Sequence, residues 1–331
     1  MNKLIIPKPT YPWPTIQSPI ADSFADEVLS WYDKDYTFTS QEAVKRYKKQ
    51  NMSQVATYMQ PTTINIDHMR PLVRFVMYIT IFDDYFELAP LHELRSVRDR
   101  IFEVMMGDDP NPNEIGLYRQ MAAARKEWLL QGMPQFWIER ISTNFYDYIT
   151  YGVMEETPFK LAKTRIYPSL AHYFVIRKYS IGMMPYGDLI DPGLNFALPV
   201  HIYQHPIIQR LMQLLCFLIT IQNDLASLPK EMVRQSEMMN IVFVLQNEYK
   251  ISIEEALAET MRIHDEFVAE MDSLHASLPD FSPYQKETCN YVYHIKLMAS
   301  GCQNWYDNAG STRYKTQGFI IPQYGKEEEE L

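Results

Sequence analysis

The sequence of 331 residues predicts an all-α fold, with about ten or more helices in a single domain. Long segments carry apolar residues at helical spacing and are rich in Leu, Met, Glu, Lys and Ala, which favour helices. Only 11 glycines occur in the whole chain, and the alternating pattern of half-buried strands is scarce. No composition shift or Gly/Ser-rich linker divides the chain, so one domain is predicted despite the length.

The predicted helices are separated by breaks, and many of these contain proline or glycine. They cover residues 22–34, 40–49, 65–88, 91–106, 114–131, 134–151, 167–181, 205–226, 231–249, 252–275 and 284–309. The most apolar stretch, residues 211–221, still contains Gln213 and is well short of the roughly 20 residues that span a bilayer. It is therefore interpreted as a buried core helix, and no stable membrane insertion is predicted.

The two ends of the chain differ from the helical domain, which is predicted to cover residues 22–315. Prolines at positions 7, 9, 12, 14 and 19 exclude regular helix near the N-terminus and predict an extended surface strap over residues 1–21. A disordered leader is the alternative. Residues 316–331 form a tail that ends in KEEEEL, a like-charge run that predicts solvation and disorder.

Charge and cysteine content limit the function and the compartment. The net charge of -10 and the pI near 5.3 argue against nucleic-acid binding, because neutralising phosphates over a large surface needs a basic face. Three cysteines without a CxxC pair are too few for a disulfide framework and favour a reducing cytoplasm. The apolar run at the N-terminus is too short for a secretory signal, and none is predicted.

The first candidate metal site is the run DDYFE, residues 83–87, at the end of a long apolar helix. Asp83 and Glu87 stand four residues apart and therefore lie on one helical face, one turn from each other. Like charges at this spacing repel, and an apolar helix end is a costly place for unpaired carboxylates. A divalent cation removes that cost, and carboxylates with water are the ligands of magnesium. The alternative is a helix that reaches the surface with solvated acids.

The second candidate metal site, residues 223–231 with the sequence NDLASLPKE, follows the most apolar helix. Asn223, Ser227 and Glu231 are spaced four residues apart, so a continuing helix aligns an amide oxygen, a hydroxyl and a carboxylate for one hard cation. Pro229 is expected to kink or interrupt a regular helix here. Lys230 is a candidate point charge for a phosphate. A polar helix end capped by Asn and Ser is the alternative.

Together the two runs resemble the DDxx(D/E) and NDxxSxxKE metal-binding motifs of class I terpene synthases, and both are complete. Their first residues are 140 positions apart, a separation similar to that in microbial members. The resemblance extends over nearly the whole chain and implies the family's single α-bundle around a central active-site cavity. It implies three Mg²⁺ ions, two held by Asp83 and Glu87 and the third by Asn223, Ser227 and Glu231, and it places Asp84 in the first motif.

Further residues match the family pattern. Arg177 lies 46 residues before Asn223, where the family has its diphosphate-sensing arginine, and Gly182 is expected to break the active-site helix. Ser180 stands where the family has an acidic or hydroxyl linker, so the effector group is left open. Trp305 followed by Arg313 and Tyr314 resembles the terminal RY pair, whose side chains donate hydrogen bonds to diphosphate. The N-terminal strap resembles the segment that covers the cavity mouth in microbial members.

The resemblance implies a lyase that ionises a linear isoprenyl diphosphate and cyclises the carbocation. Arg177, Lys230, Arg313 and Tyr314 are the expected diphosphate ligands. Aromatic faces attract cations, and the candidates for the substrate pocket, beside Gly182, are Phe75, Tyr78, Phe82, Phe174, Phe217, Trp305 and Tyr306. Ordinary core packing is the alternative interpretation for each of these aromatic residues.

Several functional alternatives stay open on the sequence alone. Farnesyl diphosphate, leading to a cyclic sesquiterpene, is the expected substrate, and geranylgeranyl diphosphate with a diterpene product is the alternative. A chain-elongating diphosphate synthase is disfavoured, because such enzymes carry two aspartate-rich motifs. A non-catalytic helical interaction protein remains the hypothesis of a different class. Proton loss or water capture at the last step, and a monomer or a homodimer, are equally open.

Overall fold

The protein, described here from a computed structural model, has a helical structure over residues 4–162, 166–234 and 238–315, and no strand occurs within these ranges. The first helices are α1 (Ala25–Lys34), α2 (Gln41–Tyr47), α3 (Ser53–Met59), α4 (Ile66–Phe86), α5 (Leu91–Met106), α6 (Gly116–Leu130), α7 (Gln135–Asp147) and α8 (Met154–Lys160). They are followed by α9 (Leu170–Ser180), α10 (Met183–Gly187), α11 (Ile190–Leu194), α12 (Val200–Tyr203), α13 (Pro206–Arg234), α14 (Ile241–Tyr249), α15 (Ile253–Ala276) and α16 (Gln285–Asn308). A 3₁₀ turn (Ala21–Phe24) precedes α1, and a π-helical turn (Tyr148–Val153) joins α7 to α8.

The predicted all-α class is confirmed, and every predicted helix overlaps a helix of the structure. The helices that the sequence did not reveal are α3, α8, α10, α11 and α12, which have four to seven residues each. Such lengths give at most about two turns, too few to establish a 3.6-residue period. The predicted disorder of residues 316–331 lies outside the described residues.

The predicted break near Pro229 is wrong, because α13 is one helix of 29 residues that passes through this proline. A proline inside a helix removes one backbone hydrogen bond and costs about 3 kcal/mol or more. Burial of α13 against α9, α15 and α16 offsets this cost. The turn before the proline also gains a side-chain partner, since Nδ2 of Asn240 donates to the Asp224 carbonyl at 2.8 Å. Asn223, Ser227 and Glu231 therefore share one continuous helix.

Helix α13 is also the central element of the core. Its length and apolarity would allow it to cross a membrane, but 83% of its most apolar stretch is buried inside the protein. Leu211, Leu214, Leu215 and Leu218 have no solvent exposure. The interpretation of this stretch as a buried core helix is thus confirmed.

Residues 4–20 of the N-terminal strap contain no helix and lie against α13, α15 and α16. The Trp13 indole donates to Asp272 at 2.9 Å, and Lys296 donates to the same carboxylate at 2.7 Å. The Tyr11 hydroxyl accepts from Gln222 at 2.5 Å. Because these contacts anchor the strap, a disordered leader does not describe residues 4–20.

A buried ionic cluster fixes α7 against the short helices α10 and α11. Arg140 lies 3.0 Å from Asp188 and 2.5 Å from Asp191, and neither carboxylate has any solvent exposure. The guanidinium also stacks over the Tyr203 ring at 4.1 Å. Asn144 donates to Asp188 at 2.7 Å and completes the cluster. This cluster fixes the segment that contains α10, which lines the central cavity of the bundle.

We expect the variant Arg140→Leu to lower the free energy of unfolding by about 3–5 kcal/mol, because two buried carboxylates would lose their cation. Urea denaturation followed by circular dichroism measures this loss. The matched control is Arg262→Leu, whose guanidinium is 54% exposed and pairs with Glu259 and Glu266 on the surface. The free energy of unfolding of this control variant should fall by less than about 1 kcal/mol. Equal losses in the two variants would contradict a dominant role of the buried cluster.

Candidate active site

A cavity of about 240 Å³ lies at the centre of the bundle. Helices α3, α4, α8, α9, α10, α13 and α16, the π-helical turn and the segment after α16 all contribute to its wall. The wall includes all six residues of the two predicted metal motifs: Asp83, Asp84, Glu87, Asn223, Ser227 and Glu231. Two motifs that are 140 residues apart in the chain therefore meet at one cavity.

The first motif lies at the C-terminal end of α4, and Glu87 is the residue that caps this helix. Its backbone N–H donates to the Asp83 carbonyl at 2.9 Å, so the two carboxylates are one turn apart. Burial is the main cause that raises the pKa of Asp83 to about 6; in this net value Lys160 opposes the shift, and the nearby Glu87 and Asp84 add to it. A bound cation would reverse this shift, because it favours the ionised carboxylate.

The second motif occupies one face of α13. Nδ2 of Asn223 donates to the Tyr314 hydroxyl at 2.9 Å, and Glu231 accepts from Nδ2 of Asn240 at 2.7 Å. Asp224, on the neighbouring face, caps the start of α14 by accepting from the Ile241 backbone N–H at 2.6 Å. The helix thus presents an amide, a hydroxyl and a carboxylate to the cavity and uses the adjacent aspartate for structure.

The donor set fits a hard divalent cation that arrives with an anionic ligand. All the donors are carboxylate, amide or hydroxyl oxygens, which suit magnesium. Within residues 4–162, 166–234 and 238–315, no three His, Cys, Asp or Glu side chains converge as a ready-made cage. Magnesium commonly uses one or two carboxylates plus substrate phosphates instead of a full protein cage. The arrangement therefore suits joint binding of metal and phosphate.

The predicted diphosphate ligands line the same cavity. Arg313 forms a bidentate pair with Asp84, at 2.8 and 3.1 Å. Arg177 donates to Asp224 at 2.8 Å and to Asn223 at 3.3 Å, and Lys230 lies beside Glu231 in the wall. Burial would lower the pKa of Arg177, but the nearby carboxylates outweigh it and raise this pKa. The guanidinium therefore stays charged.

Gly182 breaks the helical path beside the cavity, as the sequence predicted. Helix α9 ends at Ser180, and Gly182 has a φ of +71°, which L side chains rarely adopt. A Cβ at this position would lie 2.5 Å from Cδ1 of Ile79. The backbone conformation therefore favours glycine, and a larger residue would also require the Ile79 side chain to shift.

The predicted aromatic lining divides into two groups. Trp305 and Tyr306 line the cavity, whereas the remaining candidates, Phe75, Tyr78, Phe82, Phe174 and Phe217, are absent from its wall. The first three of these lie on a different face of α4, because the face that carries Asp83 continues through Val76 and Ile79. They form an aromatic cluster around Phe145, and the other two pack with Phe267. Core packing is thus what the structure shows for these five.

The expectation that the strap covers the cavity mouth stays a prediction. None of the described strap residues, 4–20, contributes to the cavity wall. The contacts of Tyr11 and Trp13 place the strap against α13, α15 and α16. It supports the helix that carries the second motif.

The polar wall residues that sequence reasoning missed include Tyr148, Glu156 and Lys160. Tyr148 lies in the π-helical turn, and its hydroxyl donates to Asp83 at 3.4 Å. Such π-helical turns are often found at functional sites. Burial raises the pKa of Glu156, but Lys160 and Arg177 outweigh it and hold this pKa at about 2. The i, i+4 spacing of Glu156 and Lys160 was the only available signal, and it is common on exposed helices.

Comparison with known proteins agrees with this geometry. Residues 74–270 match the model of terpene synthase family 2, C-terminal metal binding. Germacrene A synthase of Nostoc punctiforme is 24% identical over 92% of this chain and 94% of its own length. A (+)-T-muurolol synthase of Roseiflexus castenholzii, described as (2E,6E)-farnesyl diphosphate cyclizing, is 26% identical over 68% of this chain and 67% of its own.

Solved structures show the same fold. The crystal structure of the SVS_A2 protein from ancestral sequence reconstruction superposes with a TM-score of 0.81 at 16% identity, covering 92% of this chain and 91% of that one. The family model spans more than half of the chain, including the two motifs and Arg177. This chain therefore belongs to terpene synthase family 2.

Proposed function

We propose that this protein is a magnesium-dependent class I cyclase that ionises farnesyl diphosphate, releases diphosphate and forms a cyclic sesquiterpene. The observation that carries the proposal is the convergence of both metal motifs with Arg177, Lys230, Arg313 and Tyr314 on one cavity. The relative described as cyclising farnesyl diphosphate supports the substrate.

The polar end of the cavity would bind and activate the leaving group. Magnesium, held by the two motifs, would supply charge stabilisation for the diphosphate oxygens as the allylic C–O bond breaks. The guanidinium forks of Arg177 and Arg313 would orient the diphosphate, and Lys230 and the Tyr314 hydroxyl would contact its remaining oxygens. No general acid is required for departure in this scheme.

The apolar end of the cavity would fold the isoprenyl chain and exclude water. The apolar side chains available for this role in the cavity wall include Val76, Ile79, Met183, Ile219, Cys302 and Trp305. The aromatic rings of Trp305 and Tyr306 would stabilise the carbocation through their π faces, at roughly 0.5–2 kcal/mol each. Exclusion of water protects the cation until the ring is closed.

Incubation of the purified protein with geranyl, farnesyl and geranylgeranyl diphosphate in separate reactions tests this function. With magnesium, gas chromatography and mass spectrometry should detect a cyclic fifteen-carbon hydrocarbon or alcohol from the farnesyl substrate. EDTA should abolish the product, and excess magnesium should restore it. Within the described residues no cluster of three or more His, Cys, Asp or Glu side chains forms a ready-made metal cage, so a chelator should be able to remove the metal.

The other outcomes are equally informative. A twenty-carbon product would replace the proposed substrate by geranylgeranyl diphosphate and leave the class of reaction intact. Recovery of all three isoprenyl diphosphates without any reaction would overturn the enzymatic proposal and favour a non-catalytic interaction protein. Turnover that persists after complete metal removal would contradict the magnesium dependence.

A further inference from the structure

A continuous chain of charged contacts connects the two metal motifs across the cavity. It begins at Glu87 of the first motif, which accepts from Lys160 at 3.2 Å. Lys160 also pairs with Glu156 at 3.0 Å, and Glu156 pairs with Arg177 at 3.1 Å. Arg177 then donates to Asn223 of the second motif at 3.3 Å. The charges alternate from Glu87 to Arg177, so each of these groups stabilises the next.

Lys160 occupies a distinctive position in this chain. Its ammonium lies between a predicted metal ligand, Glu87, and a carboxylate outside both motifs, Glu156. Glu156 is 5% exposed and also accepts from the Ser180 hydroxyl. Glu156 therefore stays paired with Lys160, whereas Glu87 is also a proposed ligand of the metal.

The balance of charge in the cavity indicates how Lys160 would respond to a bound metal. The described wall of the cavity carries six carboxylates, Asp83, Asp84, Glu87, Glu156, Asp224 and Glu231, against four cations, Lys160, Arg177, Lys230 and Arg313. A metal that takes Glu87 would repel the adjacent ammonium and compete for its carboxylate partner. A lysine has three donors on a flexible four-carbon stem, so it can keep Glu156 and exchange Glu87 for another anionic oxygen.

We propose that Lys160 is a further diphosphate-binding residue, which passes from Glu87 to a diphosphate oxygen when a metal ion takes Glu87. Glu156 is the positioning residue that holds the ammonium at the cavity wall. This inference rests on the proposed function, because it requires that metal and diphosphate bind together. It adds a fifth group to the diphosphate site, contributed by the short helix after the π-helical turn.

Calorimetric titration of the full-length protein separates this role from a purely structural one. The probes are Mg²⁺ alone and inorganic pyrophosphate in the presence of Mg²⁺. The variant Lys160→Gln should weaken pyrophosphate binding by about 10- to 100-fold, as expected for the loss of a charged hydrogen bond. Its affinity for Mg²⁺ alone should stay equal or increase, because Lys160 competes with the metal for Glu87. Lys160→Arg should retain most of the pyrophosphate affinity.

Two further variants keep the test decisive. Lys126→Gln is the matched control, since this lysine is 58% exposed and pairs with Asp109 on the surface; its titrations should match the wild type. If Lys160→Gln does not fold, Lys160→Met, which keeps the apolar stem and leaves Glu156 paired with Arg177, replaces it in the same titrations and should show the same selective loss of pyrophosphate binding.

Pyrophosphate affinity within about twofold of the wild type in Lys160→Gln would overturn the inference. An equal loss of affinity for Mg²⁺ alone would also overturn it and assign Lys160 a structural role. Because these titrations need no turnover, pyrophosphate binding by a wild-type protein that cyclises nothing would refute the proposed function and leave the role of Lys160 intact. Absence of pyrophosphate binding by the wild type would refute both.

Discussion

Replacement of both Asn223 and Ser227 by alanine is expected to lower kcat/KM by about 10³-fold or more. Both side chains line the cavity from one face of α13, and the double change would leave Glu231 as the remaining oxygen donor of that motif. A single carboxylate cannot fix a magnesium ion against the diphosphate. Product formation from farnesyl diphosphate, measured over a range of magnesium concentrations, gives the size of the loss.

The control for this variant changes the same residue types elsewhere. Asn247→Ala combined with Ser273→Ala alters α14 and α15 at positions that do not line the cavity. That protein should retain wild-type turnover. If the Asn223→Ala/Ser227→Ala protein is folded by circular dichroism and turns over undiminished, the second motif does not hold a catalytic metal.

The variant Asp83→Asn should also lose at least about 10³-fold in kcat/KM, and it should be more stable than the wild type in the absence of metal. Burial raises the pKa of Asp83 from its ordinary value of 3.8 to about 6. Above the folded-state pKa, the ionised carboxylate therefore lowers the stability of the folded protein, and this cost disappears as the pH falls toward the unfolded value. Asparagine has a similar shape and carries no charge.

Thermal melting with EDTA present measures this second effect. At about pH 8 the Asp83→Asn protein should melt at a higher temperature than the wild type, and the difference should shrink at about pH 4. Asp67→Asn is the control on the same helix, because Asp67 is an exposed residue of the first turn that pairs with Arg70. A lower melting temperature for Asp83→Asn at the higher pH would show that the metal-free site is not under electrostatic strain.

The shared helical faces of the two proposed metal motifs could be predicted from the sequence, because their residues repeat at helical spacing. Asp83 and Glu87 need only one helical turn to become neighbours, and Asn223, Ser227 and Glu231 need two. Pro229 misled the prediction of the second helix, since local propensity argues for a break where burial of α13 offsets the cost. Tertiary packing, and not local propensity, therefore keeps α13 continuous through Pro229.

The rest of the site depends on contacts between segments that are far apart in the chain. Lys160 donates a hydrogen bond to Glu87, which is 73 residues away in the chain, and no spacing in the sequence predicts that contact. The π-helical turn that places Tyr148 beside Asp83 has no simple sequence signature. Phe75, Tyr78 and Phe82 were chosen for their chemistry, although their angular positions on α4 differ from that of Asp83. The position of a residue around the axis of α4 therefore predicts whether it lines the cavity better than its residue type does.

Crystals of the protein grown with Mn²⁺ and inorganic pyrophosphate would decide whether both motifs form a single site, because the anomalous signal locates each metal ion. We predict metal bound by Asp83 and by Asn223, Ser227 and Glu231 in the same cavity, around one pyrophosphate that contacts Arg177 and Arg313. Metal at only one motif, or pyrophosphate bound away from the two arginines, would contradict a single metal and diphosphate site formed by both motifs.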